Sequence, residues 1–187
     1  MIRIVILAIT FSLMLTSTAL AKDFYFGAQI NNNYADEDEL KSANITIGKF
    51  LTENFSIEGR FGYGFGEQSK QSEFAEFEIS SAFSIKDQFG LYAKYHFTPL
   101  EGNLRFFGIA GYSKIKIAGN SVLNDRLDDE VTYSSFTDTE GGFSYGIGVA
   151  YDISQSFSIT VDYLRLVDAN SDIRHVNGLG IGVSRHF

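Results

Sequence analysis

Phe143-Ser144-Tyr145-Gly146-Ile147-Gly148-Val149-Ala150-Tyr151-Asp152-Ile153 alternates without a slip. Its odd positions carry Phe, Tyr, Ile, Val, Tyr and Ile, and its even positions carry Ser, Gly, Gly, Ala and Asp. Successive side chains of a β-strand point to opposite faces, so this stretch has one large apolar face and one small or polar face. After Ser154-Gln155-Ser156 the pattern restarts, with Phe157, Ile159, Val161 and Tyr163 set against Ser158, Thr160 and Asp162. Two alternating runs across three turn residues make a tight hairpin.

The same contrast recurs along the chain. Leu179, Ile181, Val183 and Phe187 alternate with Gly178, Gly180, Gly182, Ser184 and His186. Phe55, Ile57, Phe61, Tyr63 and Phe65 alternate with Ser56, Glu58, Arg60, Gly62, Gly64 and Gly66, and Phe89, Leu91, Ala93, Tyr95 and Phe97 with Gly90, Tyr92, Lys94 and His96. Ile45, Ile47 and Leu51 form a further large row with Lys49 as an exception, and Phe24, Phe26, Ala28 and Ile30 form another. In the segment from Leu104 the adjacent Phe106 and Phe107 leave the facing open. Eight strands follow, near 23–31, 43–51, 55–66, 88–97, 104–115, 143–153, 157–167 and 177–187. Connections are short at 52–54, 98–103 and 154–156 and long at 32–42, 67–87, 116–142 and 168–176. Residues 77–87 alternate too, and either extend the fourth strand or build another hairpin.

Side-chain size decides which face points inward. A closed ring of eight strands has an interior just wide enough for its side chains, and rings of Phe, Tyr and Ile would overfill it. Gly, Ser, Ala and Thr with a few charges fit inside instead. The large residues then face outward as a belt that soluble monomers do not tolerate but acyl chains accept. Closure also satisfies the backbone polar groups that hydrocarbon cannot. The expected fold is all-β, an eight-stranded antiparallel up-and-down transmembrane β-barrel, with short turns at one end and long loops at the other.

Composition agrees with one such domain. The 187 residues hold 18 Gly, 18 Phe and 10 Tyr against one Pro and no Trp. Residues 1–21 read as an export signal, with Arg3 as the positive region, Ile4 to Leu15 as an apolar core and Ala19-Leu20-Ala21 as a small-residue cleavage site. That core is about twelve residues, short of the roughly twenty a spanning helix needs. Residues 22–187 are then the barrel. Loss of the signal removes Arg3 and no acid, leaving 14 Lys plus Arg against 23 Asp plus Glu, a net charge of −9 that speaks against nucleic acid as a partner. There is no Cys, so stability rests on hydrogen bonding and packing.

These residues resemble the small outer-membrane β-barrel proteins related to the OmpA transmembrane domain and to OmpX. The resemblance covers the whole mature chain and is carried by Gly-Leu-Tyr-Ala-Lys-Tyr-His-Phe at 90–97, by Gly-Phe-Ser-Tyr-Gly-Ile-Gly-Val-Ala-Tyr at 142–151, and by Gly-Leu-Gly-Ile-Gly-Val-Ser-Arg-His-Phe at 178–187. The resemblance implies an outer-membrane location, both termini in the periplasm, and a setting of outer-membrane lipids and lipopolysaccharide. Phe187 is similar to the family's signal for the barrel-assembly machinery. Arg185 stands where such signals often carry an apolar residue, and its guanidinium is placed to snorkel into periplasmic headgroups. The family spans structural, adhesive and resistance proteins, so it implies no single activity or surface ligand.

The charges expected in the lumen are Glu58, Arg60, Lys94, Asp152 and Asp162, with His96 near the rim. Ions in a narrow interior are costly unless paired. A Glu58 to Lys94 bridge is expected between neighbouring strands, and an Arg60 to Asp162 pair across the ring. Their expected role is a structural plug, with a narrow ion path or a conduit for hydrophobic molecules as the alternative. The acidic runs Asp36-Glu37-Asp38-Glu39 and Asp128-Asp129-Glu130 lack calcium-loop spacing and read as solvated loop acids. His96, His175 and His186 show no Ser and acid at the spacing of a lipid-modifying hydrolase, the second alternative. No catalytic, cofactor or metal residue is expected. A structural or surface-interaction role through the loops is the primary reading.

Overall fold

The computed structural model describes residues 24–35, 38–73, 77–97, 102–125, 130–167 and 176–187. The proposed signal at 1–21 lies outside the described residues, as do Asp36, Glu37, Asp128 and Asp129. Among the described residues, nine antiparallel strands form one sheet: β1 (Phe24–Ala35), β2 (Asp38–Phe50), β3 (Phe55–Gly64), β4 (Gln68–Glu73), β5 (Phe77–Phe97), β6 (Leu104–Asp125), β7 (Glu130–Asp152), β8 (Phe157–Val167) and β9 (Val176–His186). The pairing runs β3-β2-β1-β9-β8-β7-β6-β5, and β3 then pairs β5 from Phe55↔Tyr95 to Gly62↔Gln88. Eight strands therefore close a ring in which sequence neighbours pair, and β4 stands outside it, paired to the start of β5.

Facing follows size along most of the wall. Ile30, Ile45, Ile57, Leu91, Ile147, Ile159 and Ile181 are exposed on the outer surface. Exposed rings flank these aliphatics, with Tyr95, Phe97, Phe106, Tyr151 and Phe157 toward the short turns and Tyr63, Tyr112, Phe143 and Tyr145 toward the long connections. An apolar band between aromatic girdles matches a hydrocarbon layer between two interfaces. The Phe106–Phe107 ambiguity resolves with Phe106 exposed outside and Phe107 buried inside.

The interior departs from a lining of small residues in two ways. Tyr25, Tyr92 and Phe107 are buried in the lumen, and glycines on facing strands make room for them. A Cβ at Gly48 would strike the Tyr25 ring, and one at Gly148 the Phe107 ring. Toward the long-loop end the filling becomes aliphatic, with Leu40, Ile85, Ile115, Ile117, Leu164 and Leu166 among a contiguous buried cluster. Past the apolar band the outside of the wall faces water, so the barrel end packs as a soluble core does.

The expected long connections at 32–42, 67–87 and 116–142 are mostly strand. β1 and β2 pair up to Ala35↔Asp38, and β6 and β7 pair up to Asp125↔Glu130. Residues 77–87 do both things foreseen for them, extending β5 and pairing with β4. A register shift between Ile85 and Asp87 marks the break between wall and extension. β3 stops at Gly64 rather than residue 66, and Gly66, at φ 85°, takes the left-handed conformation that turns the chain toward β4. The result is a four-stranded sheet rising from one side of the barrel, aligned by the row Gln68↔Phe83↔Gly119↔Phe136.

Candidate functional site

Inward parity on β3, β5 and β8 brings Glu58, Arg60, Lys94 and Asp162 together at mid-lumen, each at most 5% exposed. Arg60 bridges the two acids. Its Nε donates to Glu58 Oε1 at 2.7 Å, and its Nη2 donates to Asp162 Oδ2 at 2.7 Å. β3 and β8 lie four steps apart either way round the ring, so Arg60 reaches across the full bore. Lys94 Nζ donates to Glu58 Oε2 at 3.0 Å. The two acids and two bases sum to zero charge, the condition under which buried ions are tolerated.

Neutral partners complete the cluster. Tyr25 OH donates to Glu58 Oε2 at 2.6 Å, and Gln29 Nε2 donates to Asp162 Oδ1 at 2.9 Å. Lys94 Nζ sits 4.0 Å from the Phe107 ring centroid, and the Arg60 guanidinium 5.3 Å from that of Tyr92. Tyr92 OH and Ser113 Oγ are 2.5 Å apart, and Ser144 Oγ donates to Ser113 Oγ at 2.7 Å. Two small cavities adjoin Arg60, about 20 Å³ beside Glu58 and Lys94 and about 10 Å³ beside Tyr92 and Ser113. A single water needs about 10–15 Å³.

Asp152 stands apart from these four. Its Oδ1 accepts from Arg105 Nη2 at 2.6 Å at the short-turn mouth, where an open vestibule of about 980 Å³ is lined by Lys49, Phe50, Arg105, Asp152 and His186. Phe187 closes the wall at that end through its backbone N–H, which donates to Phe24 O at 2.9 Å.

Two histidines do have serine neighbours, contrary to the spacing argument, because strand register joins residues that are distant in sequence. His96 Nε2 lies 3.0 Å from Ser56 Oγ, and His186 Nε2 lies 2.8 Å from Ser158 Oγ. Both serines are buried and point inward, and His96 Nδ1 has no carboxylate to orient it. A hydrolytic dyad needs a reachable nucleophile and an oriented base. His175 lies outside the described residues. No group of three or more potential metal ligands occurs among the described residues.

Tyr25 and Gln29 were missing from the expected set. The run Phe24-Tyr25-Phe26 has no size contrast, but the polar parity of Gln29, Asn31 and Asn33 places Tyr25 inside. Arg105 was hidden by the same Phe106–Phe107 ambiguity.

A family model described as outer membrane protein beta-barrel domain matches residues 4–187. Among solved structures, the N-terminal β-barrel domain of Pseudomonas aeruginosa OprF is similar, with a TM-score of 0.58 at 17% identity, covering 89% of this chain and 98% of that one. A major outer membrane protein from Thermus thermophilus gives 0.56 at 11% identity, covering 88% and 99%. Neisserial surface protein A gives 0.51 at 16% identity, covering 88% and 97%. At these identities the likeness is one of fold. No curated protein matches the chain in sequence.

Proposed function

We propose, since the chain belongs to the outer membrane protein β-barrel domain family, that it is a closed-lumen barrel of the bacterial outer membrane whose task is surface interaction through the sheet rising from its extracellular end. The observation that carries this reading is an unpaired strand edge. β7 pairs β8 only from Tyr145↔Arg165 to Asp152↔Ser158. Among the described residues, 130–144 therefore have β6 on one side and no strand on the other. Unpaired backbone donors and acceptors are a template for adding an extended segment of another chain.

Side chains on that stretch suit a contact surface. Tyr133 is 77% exposed with Val131 on the same face of β7, and Phe136 is exposed on the other face. Asp138 and Glu140 on the same edge disfavour self-pairing between copies, the usual hazard of a free strand. Phe136 packs edge-on against Phe83, with centroids 6.1 Å apart, and Phe83 in turn packs on the buried apolar cluster at that end of the lumen. Outer-membrane lipids and lipopolysaccharide are the proposed neighbours of the apolar band, and the barrel-assembly machinery the proposed route of insertion. No catalytic role belongs to this reading.

Proline at successive positions from Thr132 to Thr139 tests the edge. Proline removes an N–H, which is tolerated where that N–H points to solvent and damaging where it serves the ladder. In cells expressing the protein, attachment to a matrix-coated surface is expected to fall at alternate positions that leave heat-modifiable gel migration intact. Attachment that no folded variant changes contradicts the reading. The closed lumen is supported by the neutral cluster around Arg60 and is checked in planar bilayers. No stable conductance is expected, and large steady current steps oppose it.

A further inference from the structure

At the short-turn end of the outer wall, Lys49 and Arg185 have no anion among the described residues. Lys49, on β2, stands opposite Phe24, and Arg185, on β9, stands opposite Phe26, so both flank the start of β1 at the periplasmic end. Lys49 Nζ lies 4.9 Å from the Phe24 ring centroid. The Arg185 guanidinium lies 4.9 Å from the Phe187 ring and 5.8 Å from the Phe157 ring. The lumen cations Arg60, Lys94 and Arg105 each reach a carboxylate. Lys49 and Arg185 reach none among the described residues, and Arg185 Nε is shielded with no hydrogen-bond partner.

An apolar groove on the same strands begins two residues beyond this pair and runs on to Phe61, Tyr63, Asp87 and Phe89 toward the long connections. Ala28 is two residues along β1 from Phe26, and it pairs with Ile45 on β2 and Val183 on β9. These residues lie on a shallow apolar groove of about 930 Å³ that also includes Ile30, Ala43 and Ile181. Small side chains at Ala28 and Ala43 lower its floor between branched neighbours. A pair of cations at the interface beside an apolar groove fits one kind of molecule, with its anion at the rim and its chains in the bilayer.

We propose that Lys49, Arg185 and the Ala28–Ala43 groove form a binding site for an anionic diacyl phospholipid of the periplasmic leaflet. The guanidinium offers paired donors to a phosphodiester, and the ammonium adds a point charge on the other side of Phe24 and Phe26. The aromatic faces hold both cations at headgroup level. The groove takes an acyl chain, so the lipid is gripped at both ends and a free phosphate is not. This inference is independent of the strand-edge reading above.

Native mass spectrometry of the full barrel tests the site, after equilibration in detergent with phosphatidylglycerol, phosphatidylcholine or inorganic phosphate. One phosphatidylglycerol is expected to be retained in preference to phosphatidylcholine, with inorganic phosphate neither binding nor displacing it. Lys49→Gln and Arg185→Gln are each expected to weaken retention about fivefold, the fold-change of roughly 1 kcal/mol per cation at a membrane surface. Lys114→Gln, which changes an outward lysine of β6 at the other end of the wall, is expected to leave retention unchanged. Ala28→Leu fills the groove without touching a charge and is expected to weaken retention as well, which keeps the test open should Arg185→Gln not fold. Equal retention by the folded Lys49→Gln variant and the wild type overturns the proposal. So does displacement by inorganic phosphate, or indifference between the two lipids.

Discussion

Arg60→Met is expected to lower the unfolding free energy of the barrel by about 3–5 kcal/mol, the cost of breaking a buried pair from one side. Among the described residues, Arg60 is the one cation that pairs with both Glu58 and Asp162. Its removal leaves two carboxylates and Lys94 in a space whose adjoining cavities, about 20 and 10 Å³, have room for about one water each, far short of hydrating the uncompensated charge. Arg60→Met combined with Asp162→Leu leaves Glu58 and Lys94 as a neutral pair, so the double variant is expected to regain a large part of the loss. Urea titration in phospholipid vesicles, read by heat-modifiable migration, measures both. A single variant within about 0.5 kcal/mol of the wild type, as at an ordinary surface position, contradicts this account of the cluster.

Ile147→Lys is expected to cost about 2–4 kcal/mol in vesicles, the range for a cation on the lipid face near the bilayer midplane. Ile147 is 71% exposed on the wall portion of β7, opposite Gly108 on one side and Tyr163 on the other. In water such a position accepts lysine with almost no effect, because nothing is buried by it and nothing is lost. The two solvents thus give different answers to one substitution. The same titration reads it, and a neutral outcome means that this wall does not face acyl chains.

The barrel was legible because lipid enforces a size contrast on every strand that crosses it. Phe143 to Ile153 states that contrast in eleven residues, and parity then places Glu58, Arg60, Lys94 and Asp162 inside. Counting residues from the short turns was enough to put Arg60 opposite Asp162, since antiparallel neighbours share a register. The contrast ends where the lipid ends. Asn31 and Asn33 are buried and polar, and Ile115, Ile117 and Leu166 are buried and aliphatic, so beyond the band inward parity no longer means small or polar. That is why extended strand read as loop at 32–42 and 116–142 although the backbone ladder continues along β1–β2 and β6–β7. Phe107 was illegible for another reason. Its neighbour Phe106 is also aromatic, and what admits it is a glycine on the facing strand, Gly148, which no local pattern reveals; Tyr25, admitted by Gly48, is placed inside by the parity of Gln29, Asn31 and Asn33.

Strand ends where the wall meets the interface carry the remaining information. Lys49 broke the outward apolar row of β2, and Arg185 broke that of β9. Both exceptions lie on strands paired to β1 and beside its first two phenylalanines. An exception to a pattern imposed by lipid marks a place where something other than hydrocarbon is met.

The chain has no cysteine, so single cysteines can be placed and spin-labelled one at a time. Leu179, Ile181 and Val183 on β9 and Ile159 on β8 serve as outward sites, and Ser158, Thr160 and Ser184 as inward ones. In lipid vesicles the outward labels are expected to collide freely with oxygen, which concentrates in acyl chains, and weakly with a water-soluble nickel complex, while the inward labels collide weakly with both. Outward labels swept by the nickel complex, or oxygen access without a period of two along β8 and β9, would contradict a wall that turns its large side chains to lipid.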